Sequence, residues 1–317
     1  MQTNEAVIAT YAQKILTQVR QAVVGKDKVL LWVLAAILAK GHILLEDIPG
    51  VGKTTMALAF SKTLGLEYNR MQFNPDVLPS DVTGFSVLDQ NTGKLTYRPG
   101  AVVCNLFLAD ELNRAISRTQ SALLEAMEEN QVTVDGVSHP LPEPFAVIAT
   151  QNPTGAAGTQ LLPDSQIDRF MVQLSLGYPS VKDEISMVLS RQGKDPLKQL
   201  QPVVTRQELA AMQERVANTY ACDEIVTYVV GLIAATRQSE LLLRGASPRA
   251  TLALLRMAKA VAQLHGRDYV VPKDVQEALQ PTVAHRLQLS AKAEDRGLTA
   301  RQVLHQIMST VAVPIVR

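Results

Sequence analysis

A chain of 317 residues is long enough for two domains, each with its own core. Its 47% hydrophobic and 19% charged residues fit a folded soluble protein and exclude long disordered tracts, while 4% aromatics point to aliphatic cores. With 31 basic and 30 acidic residues the net charge is +1, so the overall balance gives no reason to expect a nucleic-acid partner or an anionic membrane surface.

The N-terminus, M-Q-T-N-E-A-V-I-A-T, lacks the basic segment and apolar core of a secretory signal, which makes a cytoplasmic location the expectation. Residues 4–24 and 27–40 carry helical periodicity. The apolar run Val29–Ala39 is far shorter than the roughly 18 residues of a membrane span and reads as a buried helix. Gly41 stops it ahead of an apolar strand, His42–Glu46, and that strand runs into D-I-P-G-V-G-K-T-T. A helix over Thr54–Leu64, ended by Gly65, and a strand near Leu66–Phe73 complete a β-loop-α-β unit of a parallel sheet. Further strands are expected at Val102–Ala109, Phe145–Thr150 and Phe170–Leu174, with a helix over Ser117–Glu129 for which Ser117 is a candidate cap.

Two segments interrupt this rhythm as β-hairpins. One spans residues 85–97 around a turn at Asn91–Gly93; the other spans 132–137, where Asp135-Gly136 is a type I′ turn signal. After Tyr178-Pro179 the strands stop. Helices are expected at Val181–Arg191, Arg206–Val216, Asp223–Gln238, Pro248–Leu264, Lys273–Leu279 and Ala300–Ser309, which divides the chain into an α/β domain, 1–179, and an all-α domain, 180–317. Cys104 and Cys222 lie far apart in expected core elements and read as small hydrophobes.

The chemistry starts at Asp47–Thr55. Between a strand and a helix, the loop of Asp47, Pro49, Gly50, Val51 and Gly52 would cradle phosphate oxygens on backbone N–H groups. Lys53 would reach the terminal phosphates, and the hydroxyl of Thr54, followed by Thr55, would hold Mg²⁺. Such loops usually begin with glycine; Asp47 stands there instead, and aspartate is among the residues that tolerate the left-handed backbone region. A second strand, L-F-L-A-D-E, ends in two acids where ligands bind in open α/β sheets: Asp110 is a candidate Mg²⁺ partner through water, and Glu111 a candidate to polarise an attacking water. Asn152, at the end of the strand A-V-I-A-T-Q-N, could orient that water without competing for the metal. Arg169 in Q-I-D-R-F and Arg249 in G-A-S-P-R-A, where Ser247 caps and Pro248 begins a helix, complete the set.

This ordered set resembles the AAA+ ATPases, and its wording resembles the MoxR family in particular. The stretches carrying the resemblance include V-V-G-K, L-L-E-D-I-P-G-V-G-K-T, L-P-S-D-V-T-G, A-D-E-L-N-R-A, A-T-Q-N-P, L-P-D-S-Q-I-D-R-F, G-A-S-P-R-A and A-H-R-L, spread over nearly the whole chain. The resemblance implies an α/β P-loop NTPase domain with a parallel sheet and an all-α lid, hydrolysing ATP with Mg²⁺. It places Val24 and Gly25 near the adenine, Asn152 as a sensor, and Arg249 as a lid sensor touching the γ-phosphate of its own subunit. Arg169 would be the arginine finger given to a neighbour, with Arg114 as the alternative. It also implies a homo-oligomer, a hexamer, remodelling a client protein with a partner that carries a von Willebrand factor A domain. The hairpins match inserts shared with magnesium chelatase subunits. A nucleic-acid motor on the same ATPase, and a nucleotide-gated scaffold with little turnover, are the rival readings; His285 reads as structural.

Overall fold

The computed structural model describes residues 7–90, 93–152, 162–190, 192–193 and 195–315. Residues 4–6 of the expected first helix, turn residue Asn91, Pro153 and Arg191 lie outside them.

The first two helices are α1 (Val7–Ala22) and α2 (Asp27–Leu38). In α1 the buried residues Ile8, Ala12, Ile15, Leu16 and Val19 make one stripe, whereas α2 is buried from Trp32 through Leu38, as its continuous apolar sequence requires. Strand β1 (Ile43–Glu46) leads through the loop into α3 (Lys53–Thr63) and β2 (Tyr68–Gln72). A short helix, α4 (Pro79–Thr83), precedes the first hairpin, β3 (Gly84–Leu88) and β4 (Leu95–Pro99). Next come β5 (Leu106–Asp110), α5 (Ser117–Glu129), the second hairpin β6 (Gln131–Val134) and β7 (Val137–Pro140), then β8 (Ala146–Gln151), α6 (Asp164–Ile167) and β9 (Val172–Leu174).

Among the described residues the main sheet has five strands in the order β2-β5-β8-β1-β9, every neighbouring pair parallel. Its central strands β5 and β8 are buried at every position, which explains their unbroken apolar sequences. Side chains alternate between the two faces. Ile43, Leu45, Leu106, Leu108 and Ile148 enter a core shared with α1–α3, while Leu44, Phe107, Ala109, Val147 and Phe170 enter a second core under α5. Truncating a fully buried side chain such as Phe107 to alanine is expected to cost about 3–5 kcal/mol.

The second hairpin turns at Asp135 and Gly136, both at positive φ (50° and 77°), as a type I′ turn requires. The rings of Tyr97 and His139 stack at 3.8 Å and join the two hairpins. Ser117 is the first residue of α5 rather than its cap; Ile116 occupies the cap position without a side-chain hydrogen bond. The carbonyl of Ile116 accepts from the N–H groups of Thr119 and Gln120, so the helix starts on backbone bonds.

The lid follows as α7 (Val181–Ser190), α8 (Pro196–Gln199), α9 (Arg206–Ala217), α10 (Asp223–Gln238), α11 (Pro248–Leu264), α12 (Pro272–Val283), α13 (Ala291–Asp295) and α14 (Ala300–Thr310). It is not purely helical. β10 (Leu242–Arg244) and β11 (Gln288–Leu289) pair antiparallel and close a small core with Ala293, Val303 and Ile307. Helix α12 also runs past the expected end, through Pro281, because Ala278, Leu279, Thr282 and Val283 stay buried and their packing outweighs one missing N–H. The chain is therefore an α/β domain with a five-stranded parallel sheet followed by a helical lid. The apolar core does not stop between the two: Leu209, Leu232, Leu254 and Met257 of the lid share one cluster with Ile15, Leu34 and Phe60.

Candidate active site

The ends of β1, β5 and β8 lie side by side in the sheet, so their carboxyl ends open on one crevice. There a cavity of about 320 Å³ is lined by Pro49, Gly50, Gly52, Lys53, Thr54 and Thr55 of the loop and by Asp110, Glu111 and Asn152 of the strand ends. Gly50 and Gly52 have φ of 87° and 98°, and a Cβ at either would meet nothing within 4 Å, so bare backbone faces open space at the N-terminus of α3. That is the cradle a chain of phosphates needs. The Lys53 ammonium is held on the carbonyls of Asp47 (2.7 Å) and Ile48 (3.4 Å). Burial lowers its pKa, while the carboxylates of Asp47, Asp110 and Glu111 act in the opposite direction. Thr54 and Asp110 line the same cavity, oxygen groups of the kind that would bind a Mg²⁺ shared with phosphate, Asp110 through water.

Asp47 does not need the left-handed conformation. It is absent from the non-glycine residues with positive φ among the described residues, and its N–H continues the strand pairing to the carbonyl of Gln151 at 3.3 Å. The left-handed acid of the site is Glu111 instead (φ 58°, ψ 43°), turned sharply out of the end of β5. Asp47 and Val51 do not line the cavity; Val51 packs toward the core, and the Asp47 side chain points elsewhere. Val24 and Gly25 also lie outside the cavity lining, next to the start of the lid. Gly25 has φ 72°, and a Cβ there would collide with the Asp183 carboxyl.

The two acids are tied together by a residue that motif reading missed. The Thr150 hydroxyl donates to Asp110 Oδ1 (2.7 Å) and accepts from the N–H of Glu111 (2.8 Å). Strand alternation carried the signal, since Asn152, just past the end of β8, follows Thr150 at the two-residue spacing of one strand face. Arg70 was also missed. It lines the cavity from β2 and donates to Asp110 Oδ2 at 2.7 Å; nothing in its local sequence separates it from an ordinary strand residue. The Glu111 carboxylate accepts from Arg114 (2.8 Å), Asn152 (3.1 Å) and Gln72 (3.4 Å), and the Arg114 bond foremost holds its pKa below the usual carboxylate range. Asn152 thus stands beside Glu111, while Arg114 is engaged within its own chain.

Arg169 and Arg249 are placed elsewhere. They meet on one carboxylate, Glu128 at the end of α5, Arg169 at 3.1 Å and Arg249 through Nη2. Both line a separate cavity of about 390 Å³ together with Arg256 and Arg286. The structure therefore does not bring Arg249 to the P-loop of its own chain. The cause lies in Asp168, whose carboxylate accepts from Ser247 (2.9 Å) and pairs with Arg286 (3.0 Å), so that D-R-F, S-P-R and A-H-R-L converge on one point. His285 of the last motif has its Nε2 3.2 Å from the Phe170 carbonyl, and burial pushes its pKa down to about 3.

Comparison with known proteins agrees with this fold. Residues 42–172 match the model of the ATPase family associated with various cellular activities (AAA), and residues 234–307 match the AAA lid domain. The chain is 45% identical to the uncharacterized protein YeaC of Bacillus subtilis, covering 96% of this chain and 95% of that one. It is 38% identical to the chaperone MoxR1 of Mycobacterium tuberculosis, covering 95% and 82%. A crystal structure of a Cytophaga hutchinsonii protein superposes with a TM-score of 0.89 at 34% identity, covering 98% and 97%. The chain belongs to the MoxR family of AAA ATPases, chaperone-like proteins that bind and hydrolyse ATP.

Proposed function

We propose that this ATPase works as a hexameric ring in which each nucleotide is enclosed by two chains, and that the ring remodels a client protein together with a partner carrying a von Willebrand factor A domain. One observation carries the interface reading: Arg169 and Arg249 sit together on Glu128, in a cavity apart from the one that holds Lys53, Asp110 and Glu111. AAA proteins typically form oligomers. Two guanidinium groups kept away from their own P-loop are suited to a neighbour's phosphates, whereas Arg114 is held inside its own site, on the Glu111 carboxylate that lines the phosphate cavity. Arg249 is therefore assigned in trans beside Arg169 rather than in cis.

Bound ATP with Mg²⁺ would supply the phosphoryl group and its neutralising charge. For the chain's own part, the P-loop backbone and Lys53 would hold the phosphates, and Thr54 and, through water, Asp110 would hold the metal. Glu111, kept ionised by its partners, accepts a hydrogen bond from the attacking water, with Asn152 fixing its carboxylate. The exposed apolar residues of the hairpins, Phe85, Leu88, Leu95 and Val137, provide surface for a client. Among the described residues no helix is long and apolar enough to cross a membrane.

Glu111→Gln tests the chemistry: it should bind ATP as tightly as the parent and lose about 10²–10⁴ in turnover. Turnover at the parental rate would remove Glu111 from this role. Affinity capture with the ATP-held variant should recover a protein with a von Willebrand factor A domain; clients recovered without one would count against that partner class.

A further inference from the structure

Asp47, the residue that stands where phosphate loops usually begin with glycine, is only 5% exposed, and its carboxylate is fully used away from the phosphate cavity. Oδ1 accepts from the Ser175 hydroxyl (2.8 Å) and the Gly177 N–H (2.9 Å), and Oδ2 accepts from the Leu176 N–H (2.6 Å). These residues form the connector between β9 and α7, where the chain passes into the lid. From the other side Lys26 donates to the carbonyls of Gly177 (3.0 Å) and Tyr178 (2.8 Å). The connector is thus gripped by its donors from the P-loop and by its acceptors from the residue after Gly25. The Asp47 backbone reaches two further parts of the site: its carbonyl holds the Lys53 ammonium, and its N–H pairs with Gln151, next to Asn152. With glycine at this position the Leu176 N–H, in a residue 5% exposed, would lose its acceptor.

We propose that Asp47 is a positioning residue that fastens the lid connector to the P-loop, so that the state of Lys53 is passed to the lid. When Lys53 turns from the Asp47 carbonyl to phosphate oxygens, that peptide is released on one side while its carboxylate still holds residues 175–177, and the connector follows. The Asp47 side chain lies outside the phosphate cavity and acts through the connector. This inference rests on ATP hydrolysis at this site and is independent of ring size, client and partner.

The test uses the full chain with Asp47→Gly, which restores the usual loop sequence, and Asp47→Asn, which keeps the shape and one carbonyl acceptor. Three quantities are read: affinity for a fluorescent mant-ATP with Mg²⁺, steady-state turnover, and amide exchange of residues 175–190 with and without ATPγS. Asp47→Gly should bind mant-ATP within about threefold of the parent, because Asp47 is outside the cavity. Its Leu176 and Gly177 amides should exchange at least about tenfold faster, the size expected for a lost charged acceptor. ATPγS should no longer alter exchange in α7, and turnover should fall at least about tenfold, with Asp47→Asn in between. If Asp47→Gly fails to fold, the same ordering in Asp47→Asn carries the test. Parental turnover with a parental lid response in a folded Asp47 variant would overturn the proposal. So would loss of mant-ATP binding with unchanged exchange at 176 and 177, since that would place Asp47 at the phosphates. Glu111→Gln separates the two levels: it should keep the ATPγS response without turnover, so an error in the assigned hydrolysis shows there and not in the Asp47 variants.

Discussion

Replacing Arg286 by methionine removes the charge on which three motifs converge while keeping most of the apolar stem. The guanidinium is 2% exposed, pairs with Asp168 at 3.0 Å and donates to the Phe170 carbonyl at 2.7 Å. Burial pushes its pKa down to about 10 against the pull of Asp168, so it is charged at neutral pH. Removing one member of a buried pair costs about 3–5 kcal/mol when the other is stranded. Asp168 is 23% exposed and keeps Ser247, which puts Arg286→Met at the lower end, about 3 kcal/mol. The loss should appear as a lower urea midpoint, and Asp168→Asn combined with Arg286→Met should cost less than the sum of the single changes by about 1–3 kcal/mol. Arg169, adjacent to Asp168, and Arg249, two residues after Ser247, lose their common anchor, so turnover should fall while mant-ATP affinity holds. Arg286→Lys should recover stability better than turnover, because an ammonium lacks the fork that spans Asp168 and Phe170. An unchanged midpoint in Arg286→Met, or an additive cycle, would refute the reasoning.

Two further outcomes follow from buried groups. His42 accepts the Val147 N–H on Nδ1 and lies 3.0 Å from the Met127 carbonyl through Nε2, and burial pushes its pKa down to about 4. Unfolded histidine titrates near about 6.5, so the unfolded chain takes the proton first. The stability present above that pH, about 3 kcal/mol, should therefore be lost as pH falls toward 4. His42→Asn should reduce the slope of urea stability against pH in this window; an unchanged slope would contradict it, and His285 supplies the slope that remains. Cys104 is fully buried with its thiol pushed up to about 12, whereas Cys222 is half-buried, so a thiol reagent at pH 8 should label the native protein at Cys222 alone. Rapid labelling of both would refute this.

Most of the nucleotide domain could be read from its residues, because each signal was local. Gly50 and Gly52 mark the cradle, an apolar run ending in Asp110-Glu111 marks a central strand, and Asp135-Gly136 marks a hairpin. What escaped depends on contacts between segments distant in sequence. Thr150 is 40 residues from Asp110 and Arg286 is 118 from Asp168, and no periodicity announces either pairing. The short strands β10 and β11 escaped for the same reason, since 3 and 2 residues are too few for alternation to show. Arg249 illustrates a different limit. Its cap at Ser247 was legible, but its place on Glu128 beside Arg169 follows from contacts of Asp168 with Ser247 and Arg286 across distant segments.

The central claim is that the site is completed across an interface, and mixing two inactive variants tests it most directly. Lys53→Ala lacks the phosphate lysine but keeps Arg169; Arg169→Ala keeps the P-loop but lacks the finger, whose loss should cost about 10³–10⁵ in turnover. In randomly mixed rings about one interface in four joins an intact P-loop to an intact Arg169. The account predicts that the equimolar mixture regains a measurable share of parental ATPase activity that neither variant has alone. A mixture no more active than its separate components, or an Arg169→Ala protein that hydrolyses ATP at the parental rate, would contradict it.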